Sequence, residues 1–326
     1  MLFKIKNKFI ILLFCVFSSL QADEYGFVLY NDFFVGNDGH FTNGASLLWL
    51  EDNQNNRYTN FLLRTFDTIS FPLDQSKNHN AGISIDQIML TPNDTLKTTP
   101  QYDDFPYAGY LSLSTYLFEW DSHAFNEYSM EFGVVGKESG AEWVQKTFHK
   151  IIGSEEPQGW NTQLSTRYTL NLMFKHGVKS WQGRVGNNLQ GDWFNHYGVT
   201  LGTFNISAFA GTAIRIGQNY VQNFNSHYPY LKEESALLGL QTKQGFGWSA
   251  STGIDTKVLA YSHFLDTAKE NGYQTDKNVL NALMHVAGTL YYNRHKFRLF
   301  YELPSRYTKE QKSLNIFGGL AYSYKF

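Results

Sequence analysis

The sequence predicts an all-β protein, a transmembrane antiparallel β-barrel of about 12 strands with a short helix in an extracellular loop. Strand-like segments with alternating polar and apolar residues recur to the end of the chain. Aromatic residues make up 17% of the 326 residues, yet the mean hydropathy is only -0.36. Transmembrane barrels combine these properties, because lipid-facing apolar residues alternate with lumen-facing polar ones and aromatic girdles mark both interfaces.

The first 22 residues have the three-part pattern of a secretory signal peptide: lysines, an apolar core and a short polar end at Ala22. The core has about nine residues, whereas a membrane-spanning helix needs about 18 or more. We therefore expect residues 1–22 to be cleaved and residues 23–326 to form one exported barrel domain. Cys15 is the chain's one cysteine and lies in this leader, so no disulfide is expected in the mature protein. The formal net charge of -2 gives no reason to expect a nucleic-acid partner.

Each predicted strand is a run with period-two alternation, bounded by the Asn, Asp, Gly and Ser residues that form turns. About a dozen runs qualify. Because bacterial outer-membrane barrels use an even number of strands, we predict 12 and leave the splitting of neighbouring runs open. The runs are Tyr25–Phe33, Thr42–Leu50, Ala81–Leu90, Tyr107–Trp120, Tyr128–Val135, Arg167–Phe174, Trp193–Leu201, Phe204–Ile216, Phe246–Asp255, Val258–Phe264, Leu280–Tyr292, Lys296–Leu303 and Leu314–Phe326.

The C-terminal run favours a membrane barrel over a soluble sandwich. Leu320, Tyr322 and Tyr324 alternate, and the chain stops on Phe326. This ending resembles the C-terminal assembly signal of bacterial outer-membrane proteins. It implies that the barrel assembly machinery is a partner and that outer-membrane lipids surround the protein.

One segment, Ala141–Ile152, breaks the period-two pattern and predicts a helix. Ser139 and Glu142 have the spacing of a capping box at its start, and Gly153 is placed to end it. A short helix between two barrel strands must lie at a rim of the barrel. Functional residues on rigid scaffolds tend to lie on such connections. One face of the helix carries Val144, Phe148, Ile151 and Ile152.

An adjacent face of this helix carries Gln145 and His149, one turn apart. Glu155 follows just after the helix. A carboxylate that turns back to hold the imidazole would fix its tautomer and make it a better base, as in hydrolases. A surface histidine with no catalytic role is the alternative.

Two polar pairs lie at the ends of the first two strands. Asn31 and Asp32 end the first, Thr42 and Asn43 begin the second, and antiparallel pairing should bring them together. So many hydrogen-bonding groups among aromatic neighbours suggest a site, with Asp32 as a ligand of a hard cation. Alternatively these residues are solvated strand-end and turn residues.

Three further residues near these segments are candidates for lipid contacts. Lys97 lies on the connection between two strands, where its ammonium could meet a phosphate or an oxyanion, or simply be solvated. We interpret Trp143 and Trp160 as interfacial anchors.

Four blocks of this sequence are similar to those of a known family, the lipid A 3'-O-deacylases of Gram-negative outer membranes. These are twelve-stranded barrels with an active site between the barrel wall and a short helix from an outer loop. The resemblance extends over essentially the whole mature chain, and its last block is the most specific. The blocks are Asn31-Asp32; Phe41-Thr42-Asn43-Gly44; Thr91-Pro92 with Lys97 and then Asp103 to Tyr110; and Gln145 with His149 to Glu155.

The resemblance implies a calcium-dependent esterase that removes the 3'-linked acyloxyacyl group of lipid A, with its active site facing the outer leaflet of the outer membrane. Lipid A, or lipopolysaccharide, would be the substrate and Ca²⁺ the cofactor. By the same resemblance His149 would activate water, Glu155 would orient it, Asp32 with Asn31 would hold calcium or help form the oxyanion site, Thr42 would line that site, and Lys97 and Asn43 would contact the substrate.

Two other functions remain open at this stage. The segment His40-x-Thr42-Asn43-Gly44 is similar to the His-x-Ser-Asn-Gly of outer-membrane phospholipases, but a threonine replaces the nucleophile and the helix has no role. The second is a non-enzymatic pore or structural barrel whose rim residues are merely solvated.

Overall fold

The computed structural model describes residues 24–31, 41–51, 56–222, 224, 244–311 and 314–326, and only the main chain of residues 41–43 and 152. The predicted leader and Asp32 lie outside the described residues, so cleavage after Ala22 stays a prediction.

Twelve antiparallel strands close into a barrel, as the sequence predicts. Each strand pairs with its neighbours in the chain, and β1 pairs with β12. The strands are β1 (Glu24–Asn31), β2 (Phe41–Leu50), β3 (Asn78–Leu90), β4 (Ala108–Trp120), β5 (Ala124–Val135), β6 (Arg167–Arg184), β7 (Gln190–Gly202), β8 (Asn205–Gln218), β9 (Phe246–Ser262), β10 (Leu280–Tyr292), β11 (His295–Pro304) and β12 (Phe317–Lys325).

Three α-helices lie in the described connections: α1 (Arg57–Thr68), α2 (Ala141–Ile152) and α3 (His263–Glu270). The bounds of α2 are those predicted. No helix in the described part of the chain is long and apolar enough to span a membrane.

The predicted split between Val258 and Asp255 is wrong, because β9 runs through both residues. Asp255 and Lys257 interrupt the apolar pattern, but both side chains are buried in the lumen, where polar residues belong. The predicted strand ending at Phe264 is also wrong beyond Ser262, where α3 begins. Helix α1 was not predicted at all.

Residues alternate between the lumen and the outer wall along every strand, as the pleat requires. On β4, Ser112 and Ser114 are buried in the lumen while Leu113 is exposed on the outer wall. Its partner across the β4–β5 pair, Phe132, is exposed as well. This apolar outer surface is the lipid-facing belt of the barrel.

Paired polar and charged side chains lie in the lumen. Asp255 lies between two histidines, with Oδ1 at 2.7 Å from Nε2 of His196 and Oδ2 at 3.3 Å from Nε2 of His285. Arg215 donates from Nε and a terminal nitrogen to Oδ2 of Asp192, at 3.0 and 2.7 Å. Pairing offsets part of the cost of burying the Asp192 and Arg215 charges.

Aromatic side chains pack in the lumen near both of its ends. At the end where Glu24 and Phe326 lie, hereafter the terminal end, Phe224 follows β8 and packs on Phe125 and Phe194, at 5.0 and 5.9 Å between ring centroids. The opposite end, hereafter the site end, is covered by α3. A cavity of ≈ 190 Å³ remains in the lumen beneath α3.

Candidate active site

Helix α2 lies against the outer wall of the barrel at the site end. Met89 on β3 pairs with Gly109 on β4, and both occupy outer-wall positions. Met89 packs with Ala141 at the start of α2. A Cβ atom at Gly109 would overlap Ser139 and Ala141, so the missing side chain lets the helix approach the strand closely. Gln87, also on the outer wall, donates from Nε2 to the carbonyl oxygen of Ser139 at 2.7 Å.

The polar residues at the ends of β1 and β2 lie on the same part of the wall. Tyr30 pairs with Gly44, so extending this register by one residue brings Asn31 opposite Asn43, whose other neighbour is Met89. The pairing of β2 with β3 shifts register between Phe41 and Asn43, so the ladder is irregular at Thr42, as at a β-bulge. Bulges are enriched next to active sites because they redirect the chain.

Asn31 is only 9% exposed although it occupies an outer-wall position. Two residues earlier on the same face of the strand is Leu29, and two before that is Phe27, which is exposed to lipid. The wall is therefore open along most of β1 and covered at its end, which is where the first sequence block places a site.

Three residues spaced one helical turn apart share one face of α2: Ala141, Gln145 and His149. This is the face that Ala141 packs against the wall. Gln145 is 2% exposed and accepts a hydrogen bond through Oε1 from Nε1 of Trp160 at 2.7 Å. Its Nε2 atom is buried and has no hydrogen-bond partner among the described residues. Gln145 thus keeps an unpaired donor on the buried face of α2.

The contact between His149 and Glu155 is made by the main chain. Nδ1 of His149 lies 2.5 Å from the carbonyl oxygen of Glu155. The expectation that the carboxylate holds the imidazole is therefore corrected, since the Glu155 side chain is exposed. Donation from Nδ1–H to a carbonyl leaves Nε2 as the acceptor, the tautomer that a general base needs.

The termination of α2 follows the prediction but its start does not. Gly153 adopts the left-handed conformation with φ of 72°, and Ser154 donates from its main-chain nitrogen to the carbonyl oxygen of His149 at 3.0 Å. The predicted capping box is wrong, because Gly140 is the N-cap and Glu142 instead pairs with Lys146 at 2.9 Å.

The outward face of α2 is apolar. Trp143 is 55% and Ile151 77% exposed. The interpretation of Trp160 as an interfacial anchor is wrong, because its ring is buried against Tyr107, 5.0 Å away between centroids, and against Met89. It packs the connection after α2 onto the β3–β4 connection.

The β3–β4 connection borders the helix and carries Lys97. The Tyr107 hydroxyl donates to the carbonyl oxygen of Thr95 at 2.8 Å, and burial raises the pKa of this phenol to about 12, so it stays a donor. Nζ of Lys97 lies 3.5 Å from Oδ2 of Asp94, and both side chains are exposed. Lys97 is therefore at the edge of the site, with its ammonium open to solvent and headgroups.

The sequence matches the protein family described as "Outer membrane protein LpxR" over residues 9–326. The chain belongs to the LpxR family. The resemblance to the lipid A 3'-O-deacylases is thereby confirmed, and so is the outer membrane as the protein's location. Family membership supports an outer-membrane lipid A deacylase.

One solved structure in particular agrees with this fold. The barrel is similar to LpxR from Salmonella typhimurium, with a TM-score of 0.73 at 15% identity, covering 93% of this chain and 100% of that chain. The β domain of the Bordetella autotransporter BrkA has a TM-score of 0.46 at 7% identity, with 94% and 99% covered. No curated protein matches the sequence.

In this LpxR-family chain, the sequence reasoning assigned no role to Gln145 or Tyr107, and it interpreted Trp160 as an anchor. A signal for Gln145 was present, because it lies one helical turn before His149 and so shares its face. The pairing of Trp160 with Gln145 spans a connection of irregular structure, and periodicity carries no information about such a contact.

Proposed function

We propose that this LpxR-family barrel is a calcium-dependent esterase that removes the 3'-linked acyloxyacyl group of lipid A in the outer leaflet of the outer membrane. One observation carries the proposal: His149, with Nδ1 held by the Glu155 carbonyl, lies on a helix packed against the outer wall. A base in that position meets molecules of the membrane, whereas a base in the lumen would not.

The chemistry needs one base and one site for negative charge. Nε2 of His149 takes a proton from water while the water oxygen bonds to the ester carbonyl carbon. Collapse of the tetrahedral intermediate then breaks the bond to the sugar 3'-oxygen, which receives that proton from the imidazolium. The products are a sugar hydroxyl and an acyloxyacyl acid, a fatty acid that still carries its second, esterified acyl chain. Glu155 fixes the imidazole through its carbonyl, so its role is orientation.

Donors for the developing oxyanion converge from both sides of the site. The buried Nε2 group of Gln145 is an unpaired donor on α2 within the described part of the chain, and in our proposal it serves this oxyanion. From the wall, Asn31 and Thr42 line the same region in our proposal, with Thr42 at the bulge. A donor aimed at the oxyanion in a water-poor site contributes about 10²–10³-fold to the rate in comparable hydrolases.

The residues at the end of β1 fit calcium. The described residues contain no group of three or more His, Cys, Asp or Glu side chains that could hold a metal ion. Calcium instead accepts carboxylate, amide and main-chain oxygens, and Asn31, buried at the covered end of the wall, is followed by Asp32. Asp32 with Asn31 would hold the ion, which would supply positive charge to neutralise the oxyanion.

Lys97 and Asn43 complete the proposal as substrate contacts. Lipid A carries phosphate, and an exposed ammonium at the rim is suited to bind it. The exposed Trp143 and Ile151 on α2 are placed to contact acyl chains.

The test is mass spectrometry of lipid A from cells with and without the protein, with calcium supplied. We expect loss of mass equal to one acyloxyacyl group at the 3' position. An identical acyl pattern in the two samples would refute the proposal. Cells producing the His149→Asn variant at the same level provide the matched control.

The two rival functions predict different outcomes in the same experiment. A phospholipase would release fatty acid from phospholipids and leave lipid A intact, and Thr42→Ser would preserve or raise that activity. A pore would leave both lipids intact. The charged and aromatic side chains that fill the described lumen disfavour a pore.

A further inference from the structure

Helix α1 lies on the outer wall at the terminal end, the end opposite the proposed active site. The Tyr58 ring is 5.6 Å from that of Trp49, and its hydroxyl is 2.5 Å from Oγ1 of Thr115 on β4. Phe66 lies 5.8 Å from Tyr128 on β5. The helix thus crosses from β2 to β5 on the face of the barrel that meets the membrane.

The start of α1 is fixed to the barrel by a buried carboxylate. Glu51, directly after β2, accepts hydrogen bonds from the main-chain nitrogens of Tyr58 at 2.9 Å and Thr59 at 2.6 Å. Thr59 in turn accepts through Oγ1 from the nitrogen of Ala81 on β3 at 3.0 Å. An anion at the helix N-terminus is favoured by the helix dipole. The helix is therefore held in place along the wall.

The outward side of α1 combines apolar and basic residues. Phe61 is 62% and Ile69, just after the helix, 67% exposed, and Phe71 is exposed beside them. Arg57 and Arg64 are exposed on the same helix. Large exposed apolar side chains grouped in this way mark a surface that binds something, and basic neighbours indicate an anionic or phosphate-bearing partner.

The part of the outer wall left between α1 and α2 is shorter than the apolar belt of a membrane barrel, which identifies the membrane as that partner. Helix α2 covers β4 at Gly109, and α1 covers it from Thr115, six positions further along. At a rise of about 3.3 Å per residue and a strand tilt of about 40°, this leaves roughly 20 Å along the strand and roughly 15 Å along the barrel axis. The apolar belt of such barrels is about 25 Å tall. Lipid must therefore extend over the outward faces of the helices as well.

The connections at the two ends identify the leaflet. Outer-membrane barrels have short turns on the periplasmic side and longer loops outside. Three of the five connections at the terminal end are short turns, 121–123, 185–189 and 293–294, and the other two, 51–77 and 219–245, are long. At the site end one connection, 203–204, is short, and the other five, 32–40, 91–107, 136–166, 263–279 and 305–316, have nine residues or more. The terminal end is thus periplasmic, and α1 lies at the level of the inner leaflet.

We propose that α1 is an interfacial helix seated in the phospholipid leaflet of the outer membrane, with Phe61, Ile69 and Phe71 among the acyl chains and Arg57 and Arg64 on headgroup phosphates. Arginine binds phosphate with two parallel hydrogen bonds, which suits this position. Helices α1 and α2 lie at opposite ends of the same part of the wall, around β3 and β4. By seating in the inner leaflet, α1 sets how deep this part of the barrel lies in the membrane. The proposal does not depend on the deacylase activity.

Spin labels test the location of the helix directly. The label is attached to Phe61→Cys or Ile69→Cys in a Cys15→Ser background, and the protein is folded into phosphatidylethanolamine–phosphatidylglycerol vesicles. Leu113→Cys on the lipid-facing belt and Ser122→Cys in an exposed turn are the matched controls. We expect the labels at positions 61 and 69 to collide often with oxygen and rarely with a water-soluble nickel chelate, at rates close to those of the label at position 113. Values equal to those of Ser122 would overturn the proposal.

A charge variant tests the contact with headgroups. The double variant Arg57→Gln with Arg64→Gln, in the Phe61→Cys background, should raise the label's collision rate with the nickel chelate and lower that with oxygen. Arg184→Gln, an exposed arginine at the terminal end of β6 away from α1, should leave the label unchanged. An unchanged label in the double variant would overturn the phosphate contact. Heat-modifiable gel migration establishes that each variant has folded into a barrel.

Discussion

Nδ1 of His149 lies 2.5 Å from the main-chain carbonyl oxygen of Glu155, so the base of the proposed reaction is oriented by backbone. Substituting His149 separates this orientation from catalysis. His149→Asn keeps a donor near the Nδ1 position but removes the base. We expect deacylation to fall by about 10²–10⁴-fold, the usual contribution of a general base. The measurement is the rate of fatty acid release from purified lipid A.

The control for this variant is Lys150→Gln, next in the chain, whose ammonium is exposed and lies 3.6 Å from Glu156. It should retain nearly full activity. Both variants should show heat-modifiable migration as folded barrels. A His149→Asn enzyme with normal activity would contradict the assignment of the base.

Removing the hydrogen bond from Trp160 to Gln145 should destabilise helix α2 locally. Trp160→Phe keeps an aromatic ring but leaves buried Oε1 of Gln145 without its donor. An unsatisfied buried acceptor costs about 1–3 kcal/mol, and we expect α2 to exchange its amide hydrogens faster by a corresponding factor. Hydrogen exchange read by mass spectrometry over residues 141–152 measures this. Trp143→Phe, exposed on the same helix, should have little effect, and equal exchange in both variants would contradict the role of the bond.

The close contact at Gly109 leads us to expect that a larger residue there allows the barrel to assemble but prevents deacylation. Gly109→Val places atoms where Ser139 and Ala141 lie, so α2 must move off the wall, whereas valine itself favours a strand. We expect an intact barrel and strongly reduced deacylation. The control is Gly288→Val on β10, because a Cβ there would meet no heavy atom of the described chain within 4 Å. Full activity in Gly109→Val would show that contact between helix and wall is unnecessary.

Removal of calcium should abolish activity if Asp32 and Asn31 hold the ion. We expect a calcium chelator to stop deacylation and added Ca²⁺ to restore it, with Mg²⁺ less effective because it demands a stricter geometry. Asp32→Asn should require a higher calcium concentration for half-maximal rate. Asp38→Asn, in the same connection, is the control. A chelator-resistant rate would remove calcium from the proposal.

The filled lumen predicts that the protein conducts few ions. The Asp255 and Arg215 pairs occupy its interior, and Phe224 packs with Phe125 and Phe194 near the terminal end. In planar bilayers we expect no steady conductance. A steady, pore-like conductance would contradict the arrangement of these side chains and favour the rival function.

The sequence by itself determined the elements of this protein. Alternation along each strand predicted the twelve-stranded barrel, and helical periodicity predicted Ala141–Ile152 with its end at Gly153. These patterns are local, because the spacing of apolar residues that marks a strand or a helix is set by neighbouring residues in the chain. The four sequence blocks identified the family for the same reason, because each is a short run in the chain.

Only the tertiary structure decided how these parts meet. It placed α2 on the outer wall, put Asn43 beside Met89, buried Trp160 against Gln145, and gave the orienting contact of His149 to a carbonyl. It also showed that residues 57–68, predicted as part of a connection, form a helix on the wall. Such contacts join residues far apart in the chain, and they depend on strand register and barrel closure, which no single segment specifies.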